Sequence, residues 1–545
     1  NFTPDGSRLF FARAPRRART LMVDDAAVQP RTPAGAGTEI NFELRWMAPA
    51  GGTQHPITMV ADVGALPLGG YPHFTPDTSR LFFHDGTGVV SVRWDGSDRR
   101  VGLAGATPQT VLSPDGVHVL SRAGRRQYVY LFERPQVADS LTIDPSAERP
   151  PVPVRRLTRS GGDFPAWSRD GSKAVWSSGT TLYVYDVARG DRAVADSAAA
   201  SHAATSAPDS TSRAPTSPDS GSRWTPAYDA VRYDIRIVAA ADKPSGVVAL
   251  RGARIISMKD REVIANGDIV ITDNRITVVG ARGSVSIPRG AKIVDVSGRT
   301  IIPGYVDVHA QMGAPAQVHR TVVAQYLANL AFGVTTARDP ESQATDVFTY
   351  ADRVDVGELL GPRVIATGPV AIDSLLTLRT APEARDILRP YAGSYRSNTV
   401  RGDLLATRPD RQRFLTVSRE LGLTAVAMGA QDYRRSLSAM LDGYADQQGA
   451  YEVYPIHGDV AALAAASGIT WTPMLLGRVG NRTGLEHILA TEAPHADPKL
   501  QRFYYHKDLD RLTRARGTWN VPEEYPFEDI AAGAARIVAA GGRIA

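Results

Sequence analysis

The chain of 545 residues contains no cysteine, which removes disulfides, thiolate metal sites and a cysteine nucleophile at once. Nor is there an apolar run of the ~18–20 residues that a membrane-spanning helix requires. The net charge is +5 with a pI near 9.3, yet the arginines are scattered among 57 acidic residues. No basic cluster interleaved with aromatics appears, so a nucleic-acid partner is not expected. A Gly-x-Ser-x-Gly elbow, a His-Glu-x-x-His pair and a glycine-rich phosphate loop are also missing. The chain opens on Asn1-Phe-Thr-Pro-Asp-Gly6 with no initiator Met or leader pattern. That opening reads as the middle of a folded repeat, and the native start is expected upstream.

What is present first is a repeat. Phe2-Thr-Pro-Asp-Gly-Ser-Arg-Leu-Phe-Phe11 returns as Phe74-Thr-Pro-Asp-Thr-Ser-Arg-Leu-Phe-Phe83, with looser copies at Leu112–Gly116 and Trp167–Gly171. Proline presets φ, aspartate bonds its own following backbone, and glycine takes a positive φ, so each copy predicts a tight turn feeding a buried strand. The repeated aspartates are Asp5, Asp77, Asp115 and Asp170. Their spacing fits propeller blades of roughly 40–50 residues carrying insertions; turns that coincide within a β-sandwich are the other reading. From Val194 to Thr225 the chain is mostly Ala, Ser, Thr, Pro and Asp, a composition that predicts a disordered linker. Strand character resumes at Tyr233–Val238, which is expected to close the last blade.

Residues 247–303 carry further strand-like runs separated by turn residues at hairpin spacing, Asp273-Asn274 among them. After Ile302 short apolar strands alternate with helical stretches, which predicts a parallel sheet and, at this length, an α/β barrel of the eight-stranded type. The sharpest local feature is Ile301-Ile-Pro-Gly-Tyr-Val-Asp-Val-His-Ala-Gln-Met-Gly313. Side chains two apart on a strand share a face, so His309 and Gln311 are expected to point together into the barrel mouth. Two imidazoles at that spacing would clamp a divalent metal; here the second position is a glutamine, a weak neutral oxygen donor.

Pro-Gly-x-x-Asp-x-His-x-His is the opening signature of the amidohydrolase superfamily, and this segment resembles it. Val247–Met258, Gly333–Asp339, Gly361–Gly368 and Ser467–Leu475 resemble the branch of that superfamily that carries an N-terminal TolB-like β-propeller. The resemblance implies a multidomain chain. Its parts are propeller blades over 1–193, the linker over 194–225, a last propeller strand or connector over 226–246, a β-sandwich half over 247–303 and a metal-dependent hydrolase barrel over 304–545. It also implies that the barrel is incomplete at the C-terminus, with its seventh and eighth strands beyond Ala545. The implied activity is hydrolysis of carbon–nitrogen bonds in a small amide or peptide-like substrate. The implied cofactor is zinc or a similar divalent ion, and the implied location is periplasmic or extracellular.

The ligand positions implied by that family are depleted in this chain. The fourth-strand lysine position falls near Val400–Asp403, where Arg401 stays cationic and would repel a metal. The fifth-strand position reads Met428, and the sixth, where a Glu-His pair is implied, reads Glu452-Val453. His309 remains, with Gln311 beside it, and Asp307 reads more readily as a structural strand-end carboxylate than as a base. A lone imidazole does not hold zinc, which takes three or four ligands. His457 and His319 are the candidates to supplement it from rim loops; His487, His495 and His506 read as surface or packing residues. An inactive amidohydrolase-like scaffold, with a propeller face for a protein or peptide partner, is therefore the alternative to a hydrolase.

Overall fold

The computed structural model describes residues 2–13, 41–61, 72–105, 107, 109–124, 128–135, 141–159, 161–205, 228–312, 319–340, 342, 345–368, 377–428, 433–451, 453–475, 478–479, 482–514 and 521–545. Two compact units divide the chain, Asn1–Arg236 and Ile237–Ala545.

The first unit is built from four separate antiparallel sheets of three, three, four and four strands. A copy of the repeated turn lies at the first hairpin of each. Phe2 pairs with Leu9, Leu112 with Val119 and Trp167 with Ala174, while the second copy pairs one step further out, His73 with Phe82. All four aspartates therefore sit at the same point of a hairpin. Their carboxylates also do the same job. Oδ1 of Asp5 accepts from Ser7 N at 3.0 Å, Asp77 from Ser79 N at 3.1 Å, Asp115 from Val117 N at 3.0 Å and Asp170 from Ser172 N at 3.1 Å. Three copies follow the aspartate with a glycine at positive φ, 71° at Gly6, 75° at Gly116 and 73° at Gly171. In those copies the glycine N–H closes the turn onto the carbonyl three residues back. Thr78 replaces that glycine in the second copy, where a β-branched side chain disfavours the left-handed region. There Arg80 N closes the turn instead, on Asp77 O at 3.3 Å.

The first twelve residues of the expected linker, 194–205, are helical instead. A helix spans Val187–Thr205, because its many alanines are the strongest helix formers even where they bury little. The rest of the expected linker, residues 206–225, lies outside the described residues. Val231–Asp234 then pairs with Thr181–Val184 and completes the fourth sheet, close to the strand expected at Tyr233–Val238.

In the second unit, Val247–Ile256, Val263–Thr272 and Arg275–Ala281 run antiparallel, with Thr272 facing Arg275 across the predicted Asp273-Asn274 turn. Lys292–Asp295 and Thr300–Ile301 add to this sheet in parallel. Strand–helix alternation follows, as expected. The parallel strands are β1 (Tyr305–Asp307), β2 (Val334–Asp339), β3 (Arg363–Ala366), β4 (Thr399–Arg401), β5 (Thr424–Met428), β6 (Asp446–Gln448), β7 (Thr470–Thr472) and β8 (Arg543–Ile544). They form a three-stranded sheet, β1–β3, and a five-stranded sheet, β4–β8.

The described residues form no closed barrel: β3 and β4 share no backbone ladder, and the Ser397 hydroxyl instead bridges the carbonyls of Ala366 at 2.8 Å and Thr399 at 2.7 Å. A side chain takes the place of ladder bonds at that edge. The last parallel strand among the described residues, the two-residue β8, pairs with β7 too briefly to be read from apolar periodicity.

Alternation along these strands separates two environments. Ala337, Val364 and Ala366 pack into one helix-facing core with Tyr326 and Tyr350. Val400, Ala425, Ala427 and Trp471 pack into another with Phe414, Ile530 and Ile537. The intervening residues face the other way, and on that inner face the sequence becomes polar: Arg338, Arg401, Asp446, Gln448 and Thr472 are all described there. Parallel strands end on the same side of a sheet, so their C-terminal ends gather these side chains in one place.

Candidate functional site

His309 follows β1, two residues past its end. Strand geometry stops at Asp307, whose Oδ1 accepts the His309 backbone N–H at 2.9 Å. That carboxylate is thereby used as a turn acceptor, the structural reading of Asp307. Because the strand ends early, the two-residue alternation does not carry His309 and Gln311 forward as a pair. Gln311 is exposed, and its carbonyl accepts from Gln325 Nε2.

His309 instead points to β6. Its Nδ1 meets Gln448 Oε1 in a very short contact. The Gln448 amide nitrogen donates both of its hydrogens, to Val308 O at 3.1 Å and to Asp446 Oδ2 at 3.0 Å. Arg338 from β2 joins the same two acceptors: its Nε donates to Val308 O at 3.1 Å and its terminal nitrogen to Asp446 Oδ2. These side chains are deeply set, with Arg338 16% and Asp446 7% exposed and Gln448 fully buried. Two polar atoms nearby have no hydrogen-bond partner among the described residues, Asp446 Oδ1 and, on the neighbouring strand, Thr472 Oγ1. Thr472 stands in register with Gln448.

At the end of β4 stands Arg401, buried and paired with Asp403 at 2.8 Å. Met428 ends β5 as expected. The sixth position is corrected. β6 is Asp446–Gln448, so Gln448 and not Val453 stands at that strand end; Val453 lies beyond it and is exposed, and Glu452 lies outside the described residues. The slip has a physical cause. Asp-Gln-Gln is too polar to register as a strand by apolar pattern, yet all three residues are buried.

The remaining histidines take other roles. His457 is exposed at the N-cap of the helix Gly458–Ser467 and makes no side-chain cap bond. His319 Nε2 contacts Asp346 Oδ1 at 2.8 Å, with its ring 5.1 Å from that of Tyr350. His487 packs 4.9 Å from the Tyr525 ring. His495 and His506 line an open cleft with Glu492, Leu509 and Asp510.

A divalent ion of the kind this site class implies does not fit the described residues. Among them no three His, Cys, Asp or Glu side chains converge. The groups at these strand ends are one imidazole, one amide, a thioether and two guanidinium cations, each of which already holds a carboxylate. A guanidinium donates and never accepts, and it repels a second cation. Sequence reasoning missed Arg338, Asp446, Gln448 and Thr472. The usable signal was polar residues at alternate positions of short strands flanked by apolar ones.

No protein-family model matches the chain. Adenine deaminase of Paracoccus denitrificans is 33% identical over 72 residues, 13% of this chain and 12% of that protein. The adenine deaminase of Mesorhizobium japonicum is 38% identical over the same share, and that of a Methylobacterium strain is 28% identical over 165 residues, 29% of this chain and 27% of that protein. The chain thus matches about an eighth of the length of the first two relatives. Among solved structures, a Xaa-Pro dipeptidase aligns over 55% of this chain and 78% of its own, at a TM-score of 0.40 and 14% identity. A putative prolidase from Bifidobacterium longum aligns over 55% and 72%, at 0.38 and 20%. Molinate hydrolase aligns over 55% and 82%, at 0.34 and 15%.

Proposed function

From the chain's kinship with the amidohydrolase superfamily, we propose that residues 237–545 are an amidohydrolase-type domain that binds a small amide-like or amine-like molecule without metal-dependent turnover. The observation that carries this reading is the donor set at the parallel strand ends. Arg401, Met428 and Gln448 end β4, β5 and β6, the strand ends at which the family resemblance implies metal ligands. Without three or four suitable ligands there is no route to a metal-bound hydroxide near neutral pH.

What remains at the inner face suits a ligand that donates hydrogen bonds. Asp446 Oδ1 and Thr472 Oγ1 are buried acceptors with no partner among the described residues, and a buried polar atom left in that state costs free energy until something bonds to it. An N–H-bearing group such as an amide or amine would satisfy both. Residues 1–236 are proposed as TolB-type propeller blades presenting a face to a protein or peptide; the shared register of the four aspartate hairpins supports that reading. A periplasmic or extracellular setting goes with the propeller-fused branch.

A second reading, hydrolysis of carbon–nitrogen bonds, is favoured by the curated relatives, which are deaminases, and by the retained His309. One experiment separates the two. The protein is screened against amide, cyclic-amide and aminopurine substrates before and after treatment with a chelator. The expected result is no chelator-sensitive turnover, with binding of a donor-bearing amide still detectable by calorimetry. Turnover that chelation abolishes would establish the hydrolase reading instead.

A further inference from the structure

We propose that the Arg338–Asp446 ion pair stands in for a metal centre, joining the two parallel sheets and, through Gln448, holding His309 in the Nδ1–H tautomer. The inference deepens the binding reading above and rests on it, but its test does not depend on turnover.

The argument begins with the Gln448 amide, whose orientation is set by its neighbours. One end faces Val308 O and the Asp446 carboxylate, both of which only accept. That end must be the NH2. Turned around, the amide would set its oxygen against two acceptor oxygens in a buried site, replacing two hydrogen bonds with repulsion. The amide oxygen is therefore the atom that meets His309 Nδ1, and an oxygen acceptor requires Nδ1 to carry the proton. In the neutral ring Nε2 is then a bare acceptor.

Asp446 fixes the amide, and Arg338 fixes Asp446. The carboxylate receives the guanidinium and the amide on the same oxygen, Oδ2, and Arg338 also reaches the Val308 carbonyl just before His309. One cation thus touches β2, β6 and the segment after β1, and it spans two sheets that have no ladder between them. A metal bound at such strand ends would gather ligands from several strands and orient an imidazole. The guanidinium does both through hydrogen bonds, and its permanent charge occupies the place where a second cation would be repelled.

The test uses the full chain. Nitrogen-15 labelled histidine is read by two-dimensional NMR, with the His309 signals assigned by their loss in His309→Asn. The wild type should show a pyrrole-type Nδ1 and a pyridine-type Nε2, and Gln448→Leu should shift His309 toward the Nε2–H form. In parallel, thermal unfolding is followed with excess chelator and with added Zn2+ or Mn2+. The midpoint should not move, whereas a tightly held structural ion would raise it by about 4 °C or more. An Nε2–H tautomer in the wild type, or a stoichiometric metal-dependent rise in the midpoint, would overturn the proposal. Both readouts are made on the wild type, so they decide the matter even if Gln448→Leu fails to fold. Chelator-sensitive turnover without either change would defeat the functional reading alone.

Discussion

Arg338 and Asp446 lie 108 residues apart in sequence and meet, guanidinium to carboxylate, between two sheets that share no backbone ladder. Removing one partner of this largely buried pair leaves the other charge without its counter-ion. Arg338→Met and Asp446→Leu should each cost about 3–5 kcal/mol, while the double variant should cost clearly less than their sum. Urea unfolding of the full chain measures this. Single variants within about 1 kcal/mol of wild type would show that the pair carries little of the domain's stability.

The aspartate turns give the first unit a pH signature. Hydrogen bonds from Thr3 and Ser7 hold the Asp5 carboxyl down to about 2, and those from Ser168 and Ser172 do the same for Asp170, from an ordinary value of 3.8. A folded pKa below the unfolded one contributes stability that is present above the ordinary value and lost as pH falls toward 2. Acid unfolding of this unit should steepen between about pH 4 and pH 2. In Asp5→Asn/Asp170→Asn that dependence should flatten, as circular dichroism at fixed temperature would reveal.

Gly116 and Gly171 hold positive φ with open space around a would-be Cβ or only ordinary contact. Substitution by alanine should therefore cost only the conformational term, about 1–2 kcal/mol each. Thr78→Gly, at the equivalent place in the second copy, should gain nothing comparable, because Arg80 already closes that turn by another bond. Equal effects at all three positions would mean that the turns are not distinguished by backbone conformation.

Gln311→His restores the sequence spacing of a metal clamp without restoring its geometry. Gln311 is exposed, past the end of β1, and the other strand ends still present Arg401, Met428 and Gln448. Elemental analysis of the purified variant should find less than roughly half an equivalent of zinc. A full equivalent would show that the loop after β1 reorganises to complete a site.

Much of the fold is legible from residues alone. The four turns are readable because proline, aspartate and glycine each impose a local conformation, and β5 because Val426 sits in an apolar run, whereas β4 is located only through the family resemblance. The inner face is less legible. β6 carries no apolar residue, and its burial depends on Arg338, which lies far upstream and on a different sheet. No local pattern announces such a partnership. His309 is conspicuous in sequence, yet the glutamine that determines its tautomer is not, since amides at strand ends look like loop residues. The start of the low-complexity segment misleads for the opposite reason: its alanines favour helix whether or not they bury anything.

The span between Arg338 and Asp446 also bears on the order of assembly. Local hairpins and adjacent parallel strands close short loops, whereas this contact must wait until every strand–helix unit between the two residues has condensed. We expect it to form in the late part of the folding reaction, after the rate-limiting barrier. Weakening it should leave the folding rate nearly unchanged and speed unfolding, so the pair acts as a kinetic latch that slows the opening of a structure already made.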